Sequence, residues 1–313
     1  MTRIVVTGAA GYLGGAVATA ASAVGAVRAV LRRAAPWLPG VPMVCDLARE
    51  ADAAVEGADA VVHLAGANEV AAREDPDEAL AATTAVARAV GEACRRQGVQ
   101  RLVYVSTVHV YGSELAPGNT VTEDVIPAPR SAYSIARLAC EHILASEIGD
   151  DRLAVLRLSN AVGAPADISV RRWTLLANDL CLRAARGRPL ELRTPDQQRD
   201  FVAMTDVARI VLAACDPGLL DAGTYNLASG ETMTVYEFAR LVADQSDTEG
   251  MGRPQIVLPP TVTDIAAFHD DAARYCIDAG RLASFGLIAS TPLAEAVAET
   301  LRLCRETAGK DRF

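Results

Sequence analysis

One short stretch near the start of the chain constrains the fold more than any other. The apolar run Ile4–Val6 leads into glycines at residues 8, 11 and 14, and an alanine-rich segment follows them. This order predicts a strand, a tight turn and a helix. Glycines in such a turn let backbone N–H groups approach a pyrophosphate closely, and the positive end of the helix faces the same anion. We therefore predict a dinucleotide cradle, rather than a merely tight turn, formed by Gly8, Gly11, Tyr12, Leu13 and Gly14.

The composition indicates a folded protein that binds neither nucleic acid nor a membrane. The 313 residues are 51% hydrophobic, and 30 basic against 39 acidic side chains give a net charge of −9. Such a charge is unsuited to the phosphate backbone of a nucleic acid. No apolar run approaches the roughly 20 residues of a membrane span. Because the first strand also begins at once, we expect a cytoplasmic protein.

The cysteines indicate neither a disulfide framework nor a metal site. There are seven, an odd number, and they are scattered without any C-x-x-C spacing. We expect them to be small buried side chains in a reducing compartment, and we expect no bound metal.

The end of the second predicted strand bears on the choice of cofactor. The run Ala26–Leu31 ends in Arg32 and Arg33, at the place where the adenosine ribose lies in a doubly wound sheet. An arginine there pairs with a 2′-phosphate, whereas an acidic residue would bind the ribose hydroxyls of NAD. We predict a preference for NADP(H), with NAD(H) possible and a merely solvated strand end as the alternative.

Strands and helices alternate through the first half of the chain. Further strands are predicted around 41–44, 59–66, 101–106 and 152–159, and helices around 79–97 and 131–146. Such alternation favours an α/β fold, a Rossmann-like doubly wound parallel sheet over residues 1–159. After residue 159 the pattern loosens. We predict a smaller C-terminal substrate-binding lobe from 160–200 and 228–313, and segments at about 201–227, including Phe201 and Val202, that return to the sheet domain.

Three side chains near the predicted carboxyl edge of the sheet suggest proton transfer. Thr107 follows the fifth strand, and Tyr133 and Arg137 lie four residues apart on one helix face. A tyrosine, with an ordinary pKa of about 10, needs a nearby cation to exchange a proton near neutrality, as hydride transfer to a carbonyl requires. Arg137 is such a cation, and Thr107 can orient the reacting oxygen. A surface pair and a strand-end cap are the alternatives.

Taken in order, these stretches resemble the extended short-chain dehydrogenase/reductase family, in particular its nucleotide-sugar epimerases, dehydratases and ketoreductases. The resemblance covers most of the chain. It rests on Thr7-Gly8-x-x-Gly11-x-x-Gly14, Asp46-Leu47, His63-Leu64-Ala65-Gly66, Tyr104-Val105-Ser106-Thr107, Val110-Tyr111-Gly112, Tyr133 with Arg137, Leu156-Arg157-Leu158-Ser159-Asn160, Gly163, Arg199-Asp200-Phe201-Val202 and Asp278.

The resemblance implies roles for single residues on the cofactor side. Asp46 would bond the adenine with Leu47 beside it, and Leu64, Ala65 and Gly66 would line the cofactor. Tyr133 and Arg137 would also contact it.

On the substrate side, the resemblance implies that Thr107 is the catalytic hydroxyl, with its neighbour Ser106 the weaker candidate. Tyr133 would be the general acid/base. The diphosphate of a nucleotide sugar would be held by Asn160, Arg199 and, as a looser match, Arg274. A homodimer through the helices around 79–97 and 131–146 is also implied.

Four positions depart from the family pattern. Arg137 stands where the family has lysine, and Thr83 where a supporting asparagine is usual. Arginine keeps the charge but not the geometry of lysine. Val108 and His109 replace the Asp-Glu pair of the sugar dehydratases, which disfavours dehydration.

We therefore expect an oxidoreductase or epimerase that prefers NADP(H) and acts on a nucleotide-activated sugar, with reduction of a keto group slightly favoured. Two alternatives remain. One is a cofactor-binding sensor or assembly protein that has lost turnover, which the departures at Arg137 and Thr83 permit. The other is a reductase of a small non-nucleotide ketone.

Overall fold

A computed structural model describes residues 2–170, 172–262 and 274–308. Residues 171, 263–273 and 309–313 of the predicted lobe therefore lie outside the described part. The strands are β1 (Arg3–Thr7), β2 (Ala26–Leu31), β3 (Val41–Val44), β4 (Ala60–His63), β5 (Arg101–Thr107), β6 (Thr120–Val121), β7 (Leu153–Leu158), β8 (Asn160–Val162), β9 (Leu190–Glu191), β10 (Gln198–Ala203), β11 (Gly223–Leu227), β12 (Thr232–Thr234), β13 (Ile256–Val257) and β14 (Cys276–Ile277).

The helices are α1 (Tyr12–Ser22), α2 (Leu47–Val55), α3 (Glu69–Glu74), α4 (Pro76–Arg96), α5 (Ala132–Ile148), α6 (Leu176–Ala185), α7 (Met204–Ala213), α8 (Val235–Thr248), α9 (Gly280–Ala283) and α10 (Leu293–Ala308). A 3-10 helix covers Val108–Glu114.

A seven-stranded parallel sheet organises the molecule, in the order β11-β7-β5-β4-β1-β2-β3. Its central strands are buried on both faces, as their runs of apolar residues predict. One face packs against α1 and α7, and the other against α2, α4 and α5. The structure confirms the predicted Rossmann-like, doubly wound fold.

The order of the strands locates the ligand crevice. Successive strands are added on one side of β1 as far as β3, and the chain then crosses back to place β4 on the other side. Ligands of open α/β sheets bind at such a reversal, outside the carboxyl ends of the strands. The segments that leave β1 and β4 there are the glycine turn and residues 64–68.

A smaller body contains the sheet β12-β10-β8 and a core formed by α6, α8 and α10. The sequence pattern placed Phe201 and Val202 with the sheet domain, but β10 pairs with β8 and β12 rather than with the main sheet. Side chains along a strand alternate between its faces. Phe201 packs on Phe238 in the smaller core, with ring centroids 4.2 Å apart, while Val202 belongs to the core of the main sheet. Strand β10 therefore forms the seam between the two cores.

Within the described ranges, no helix is both long and apolar enough to cross a membrane. Nor do the described residues contain a group of three or more His, Cys, Asp or Glu side chains suited to a metal ion.

Candidate active site

The glycine turn is built for close backbone contact. Gly8 has a φ of +68°, in the left-handed region that favours glycine. A Cβ at Gly14 would lie 2.1 Å from the carbonyl oxygen of Gly8, so a side chain is excluded there. The N-cap Gly11 supplies no capping side chain, which leaves the first N–H groups of α1 open to an anion. These features fit the pyrophosphate of a dinucleotide.

Tyr12 and Leu13, the two predicted cradle residues that are not glycine, pack behind the turn at the start of α1. Leu13 is partly buried against the core of the main sheet. Tyr12 is buried, and its hydroxyl donates to the carbonyl oxygen of Gly163 at 2.7 Å and to Asn178 Oδ1 at 3.3 Å. The turn is thereby tied to the segment that leads into α6. Any contact of Tyr12 or Leu13 with a phosphate would come from the main chain.

The hydroxyl of Thr7 in β1 binds the other wall of the crevice. Thr7 Oγ1 accepts the N–H of Leu64 at 3.1 Å and lies 2.8 Å from His63 Nδ1. Ala65 packs against the turn, since its nitrogen lies 2.9 Å from where a Cβ would stand at Gly8. Burial and, to a smaller extent, the charge of Arg137 together lower the pKa of His63 to about 3, so His63 is neutral.

The residues predicted to choose the cofactor lie at the ends of β2 and β3. Arg32 and Arg33 are exposed, and neither guanidinium has a hydrogen-bond partner among the described residues. Asp46 is also exposed, and it caps α2 by accepting the N–H of Ala48 at 3.1 Å. Leu47 is buried in the core. Two cations without a hydrogen-bond partner in the described part of the chain therefore stand at the expected position of the adenosine ribose.

Tyr133 and Arg137 form a cation–π pair at the start of α5. Ser131 caps this helix, and the guanidinium carbon of Arg137 lies 5.2 Å from the centroid of the Tyr133 ring. Arg137 is only 8% exposed, and its Nε and Nη1 atoms have no hydrogen-bond partner in the described part of the chain. Nη1 lies 3.5 Å from the position of a Cβ at Gly66, on the crevice wall. The buried guanidinium therefore keeps donors available beside the crevice.

Arg137 is a permanent charge at this site. Burial alone would lower the pKa of its guanidinium, but Tyr133 and Tyr104 raise it, and the net pKa lies above the ordinary value for arginine. Thr83, at the position of the missing asparagine, is buried and accepts the N–H of Ala67 at 3.0 Å. Its hydroxyl thus supports the loop on which Gly66 lies.

Thr107 and Ser106 point to opposite sides of β5. Thr107 Oγ1 accepts the N–H of His109 at 3.2 Å and caps the 3-10 helix, against which α5 packs. Ser106 instead donates its hydroxyl to Glu141 of α5. The Ser106 hydroxyl is therefore engaged inside the protein, whereas Thr107 stands at the carboxyl end of the strand.

Two of the three residues predicted to hold a diphosphate contact each other. Arg199 Nη1 donates to Asn160 Oδ1 at 3.2 Å, and Asn160 Nδ2 donates to the carbonyl oxygen of Asp200 at 2.7 Å. The Nε of Arg199 is buried without a partner among the described residues, and burial lowers the pKa of this guanidinium. An anionic ligand would offset that cost of burial.

Arg274 lies beside the same small sheet. It donates to Glu237 Oε1 at 2.7 Å and to the carbonyl oxygen of Thr232 at 2.8 Å, and Thr232 pairs with Asp200 across β12 and β10. The structure thus brings Arg274 near the Arg199 strand, in an ion pair with Glu237.

One ion pair near the crevice was not predicted. Arg172 Nη2 contacts both carboxylate oxygens of Glu69, at 2.7 and 2.9 Å, and so joins the segment before α6 to the start of α3. His109 lies near this pair, and desolvation together with the charge of Arg199 lowers its pKa, while Glu69 opposes the shift. The partners are 103 positions apart, and no local pattern signals such a contact.

Comparisons with known proteins find similarity in both sequence and fold. Residues 4–228 match the sequence model of the NAD dependent epimerase/dehydratase family. The GDP-6-deoxy-D-mannose reductase of Pseudomonas aeruginosa is 29% identical over 197 residues, which are 61% of this chain and 64% of that protein. The chain therefore spans somewhat less than two thirds of that relative.

Two solved structures share the fold over nearly their whole length. The UDP-glucose 4-epimerase of Thermus thermophilus in complex with NAD superposes with a TM-score of 0.79 at 25% identity, covering 97% of this chain and 99% of that one. The structure of RMD from Pseudomonas aeruginosa complexed with NADPH gives a TM-score of 0.76 at 23% identity, covering 98% and 99%.

Proposed function

The chain belongs to the NAD dependent epimerase/dehydratase family, and we propose that it reduces a keto group of a nucleotide-activated sugar with NADP(H) as the preferred cofactor. The resemblance seen in the sequence is thereby confirmed at the level of the family. The observation that carries the proposal is the buried guanidinium of Arg137, which lies under Tyr133 with donors unpaired among the described residues.

The proposed reaction assigns one task to each of three side chains. When bound, the cofactor supplies the hydride that adds to the carbonyl carbon. Tyr133 donates a proton to the carbonyl oxygen, and Arg137 stabilises the negative charge left on the tyrosine. Thr107 donates a hydrogen bond that orients the same oxygen. In the reverse direction Tyr133 accepts the proton of a sugar hydroxyl.

The cofactor preference rests on Arg32 and Arg33. Both are exposed, with no hydrogen-bond partner among the described residues, at the end of β2. The 2′-phosphate of NADPH can form charge-assisted hydrogen bonds with these two cations, and NADH has no such phosphate. Of the two similar structures, one is described with NAD and the other with NADPH, which leaves either cofactor compatible with the fold.

The substrate class rests on Arg199 with Asn160, and Arg274 is the third proposed ligand of the diphosphate. Arg199 is half-buried, and its buried Nε has no hydrogen-bond partner among the described residues, as expected of a site that completes its contacts with an anion. A small ketone without a diphosphate would leave these groups unused. The relatives named above act on or bind nucleotide derivatives, which supports the same substrate class.

The proposal includes a cytoplasmic homodimer. All seven cysteines are free thiols, which suits a reducing compartment. Helices α4 and α5 pack side by side, and Ile135 of α5 is 43% exposed, so these helices are the proposed interface. Sedimentation of the purified protein tests the oligomeric state.

Tyr133→Phe tests the function directly. This variant keeps the ring against Arg137 and removes only the hydroxyl, so we expect NADPH affinity to stay and turnover to disappear. Turnover retained in Tyr133→Phe would refute the acid/base role. If wild-type protein binds NADPH tightly but converts no nucleotide sugar, the alternative of a sensor is favoured instead.

A further inference from the structure

A buried ion pair lies under the proposed site but takes no part in the reaction described above. Arg157 of β7 donates from Nη2 to Glu141 Oε2 of α5 at 2.8 Å, and each side chain is only 7% exposed. Replacing a buried pair of this kind with apolar residues is often neutral for stability, so stability alone does not account for it. Its contacts indicate a more specific role.

Each end of the pair binds a residue within four positions of Thr107 in the chain. Glu141 accepts the hydroxyl of Ser106, which immediately precedes Thr107. Arg157 Nη1 donates to the hydroxyl of Tyr111 at 3.0 Å, and its guanidinium carbon lies 4.9 Å from the centroid of the Tyr111 ring. The same ion pair therefore binds the residue one position before Thr107 and the residue four positions after it.

The pair also fixes α5, which carries the other proposed catalytic groups. Glu141 lies four residues after Arg137 and eight after Tyr133, so the three side chains follow one face of the helix. A contact from Glu141 to Ser106 thus links the segment that carries Thr107 to the helix that carries Tyr133 and Arg137.

The outer end of this network is completed by protein groups. The Tyr111 hydroxyl donates to Asn226 Oδ1 at 2.7 Å, and the N–H of Asn226 donates to Glu123 Oε1 at 2.8 Å. Asn226 Nδ2 donates to the carbonyl oxygen of Asp278 at 2.9 Å. A buried network with satisfied partners is rigid, because moving one member breaks the bonds of its neighbours.

We propose that Ser106, Glu141, Arg157 and Tyr111 form a positioning network that holds the Thr107 hydroxyl in register with Tyr133 and Arg137. This inference rests on the proposed function, since it assigns these four residues to the same reaction. None of them touches the substrate. Ser106, which the sequence offered as a weaker substrate ligand, acts here through Thr107.

The test removes one link at a time. Ser106→Ala deletes the contact to Glu141, and Tyr111→Phe deletes the contact to Arg157 while keeping the ring. Misplacement of a reacting group by about 1 Å can cost about a hundredfold in rate. We therefore expect kcat to fall at least about tenfold in each variant, with KM and the NADPH dissociation constant changed less than about twofold.

Ser246→Ala is the matched control. Ser246 is fully buried in α8, far along the chain from the site, and donates one hydrogen bond to the carbonyl oxygen of Gly252 at 2.8 Å. Its loss should lower the melting temperature as much as Ser106→Ala does, without changing kcat of the folded protein.

A second measurement needs no substrate. Amide hydrogen exchange should rise in Ser106→Ala at residues 107–112 and not across the whole sheet, whereas Ser246→Ala should leave these residues protected. Two results would overturn the positioning role and leave the proposed function standing. One is unchanged exchange at residues 107–112 in Ser106→Ala. The other is a kcat of Ser106→Ala and Tyr111→Phe within about twofold of wild type while Tyr133→Phe is inactive. Activity in Tyr133→Phe would refute the function itself.

Discussion

Arg137→Met is the substitution whose effect can be worked out most fully from the structure. Methionine keeps much of the apolar stem and removes the charge. With the guanidinium carbon 5.2 Å from the Tyr133 ring centroid, Coulomb's law at an effective dielectric constant of about 20 gives about 3 kcal/mol for its attraction to a tyrosinate. Loss of that term from the transition state corresponds to a fall in kcat of about two orders of magnitude.

The stability of the same variant should not fall. Two guanidinium nitrogens of Arg137 are buried without partners among the described residues, so the wild-type side chain carries a desolvation cost that methionine lacks. We expect an equal or higher melting temperature together with the loss of activity. Arg137→Lys, which keeps a cation at the site, should retain more activity than Arg137→Met.

The assay is the initial rate of NADPH oxidation with the nucleotide sugar that wild-type protein converts, measured beside thermal unfolding of the cofactor-free protein. A kcat of Arg137→Met within about threefold of wild type would refute the electrostatic argument. The argument would also be refuted if activity fell only in proportion to the fraction of folded protein. Arg137 would then contribute to stability and not to the chemical step.

Three further predictions concern other residues. Arg32→Ala should raise the dissociation constant of NADPH about tenfold and leave that of NADH unchanged in fluorescence titrations; equal effects would remove the 2′-phosphate contact. Arg199→Ala should weaken nucleotide-sugar binding by about 1.5 to 3 kcal/mol in calorimetry, whereas Arg183→Ala, which breaks an ion pair with Asp179 in the same lobe, should not. His63 has a pKa of about 3 when folded and about 6.5 when unfolded, so the unfolded chain binds a proton that the native state does not, and the free energy of unfolding should fall as the pH drops from about 6.5 towards 3. In urea unfolding, His63→Gln should lose less of this free energy than wild type over the same pH range. An equal loss in the two proteins would contradict the assignment.

The sheet domain was predictable because its signals are local. Alternating apolar runs and helical spacing fix each element, and the glycine turn after β1 fixes the edge at which ligands bind. The lobe gave weaker signals. Strand β10 shows why, since Phe201 and Val202 face different cores. A single apolar run cannot reveal two partners that are distant in the chain.

The sequence predicts which residues form the candidate site but not how they are arranged. Adjacent strand residues face opposite ways, and only the packing of α5 decides that Ser106, and not Thr107, meets Glu141. The pairing of Arg172 with Glu69 depends on chain segments that lie far apart in sequence. The burial of Arg137 likewise follows from tertiary packing, because its helical spacing is equally typical of a surface pair.

The most direct test of the account is a titration of wild-type protein with NADPH and NADH, followed in the same cuvette by nucleotide sugars and their 4-keto forms, with nicotinamide absorbance as the readout. The account predicts tighter binding of NADPH and its oxidation by at least one keto-sugar nucleotide. Tight binding without oxidation or any product would contradict the proposed reduction, and conversion without net oxidation would assign the site to redox-neutral epimerisation.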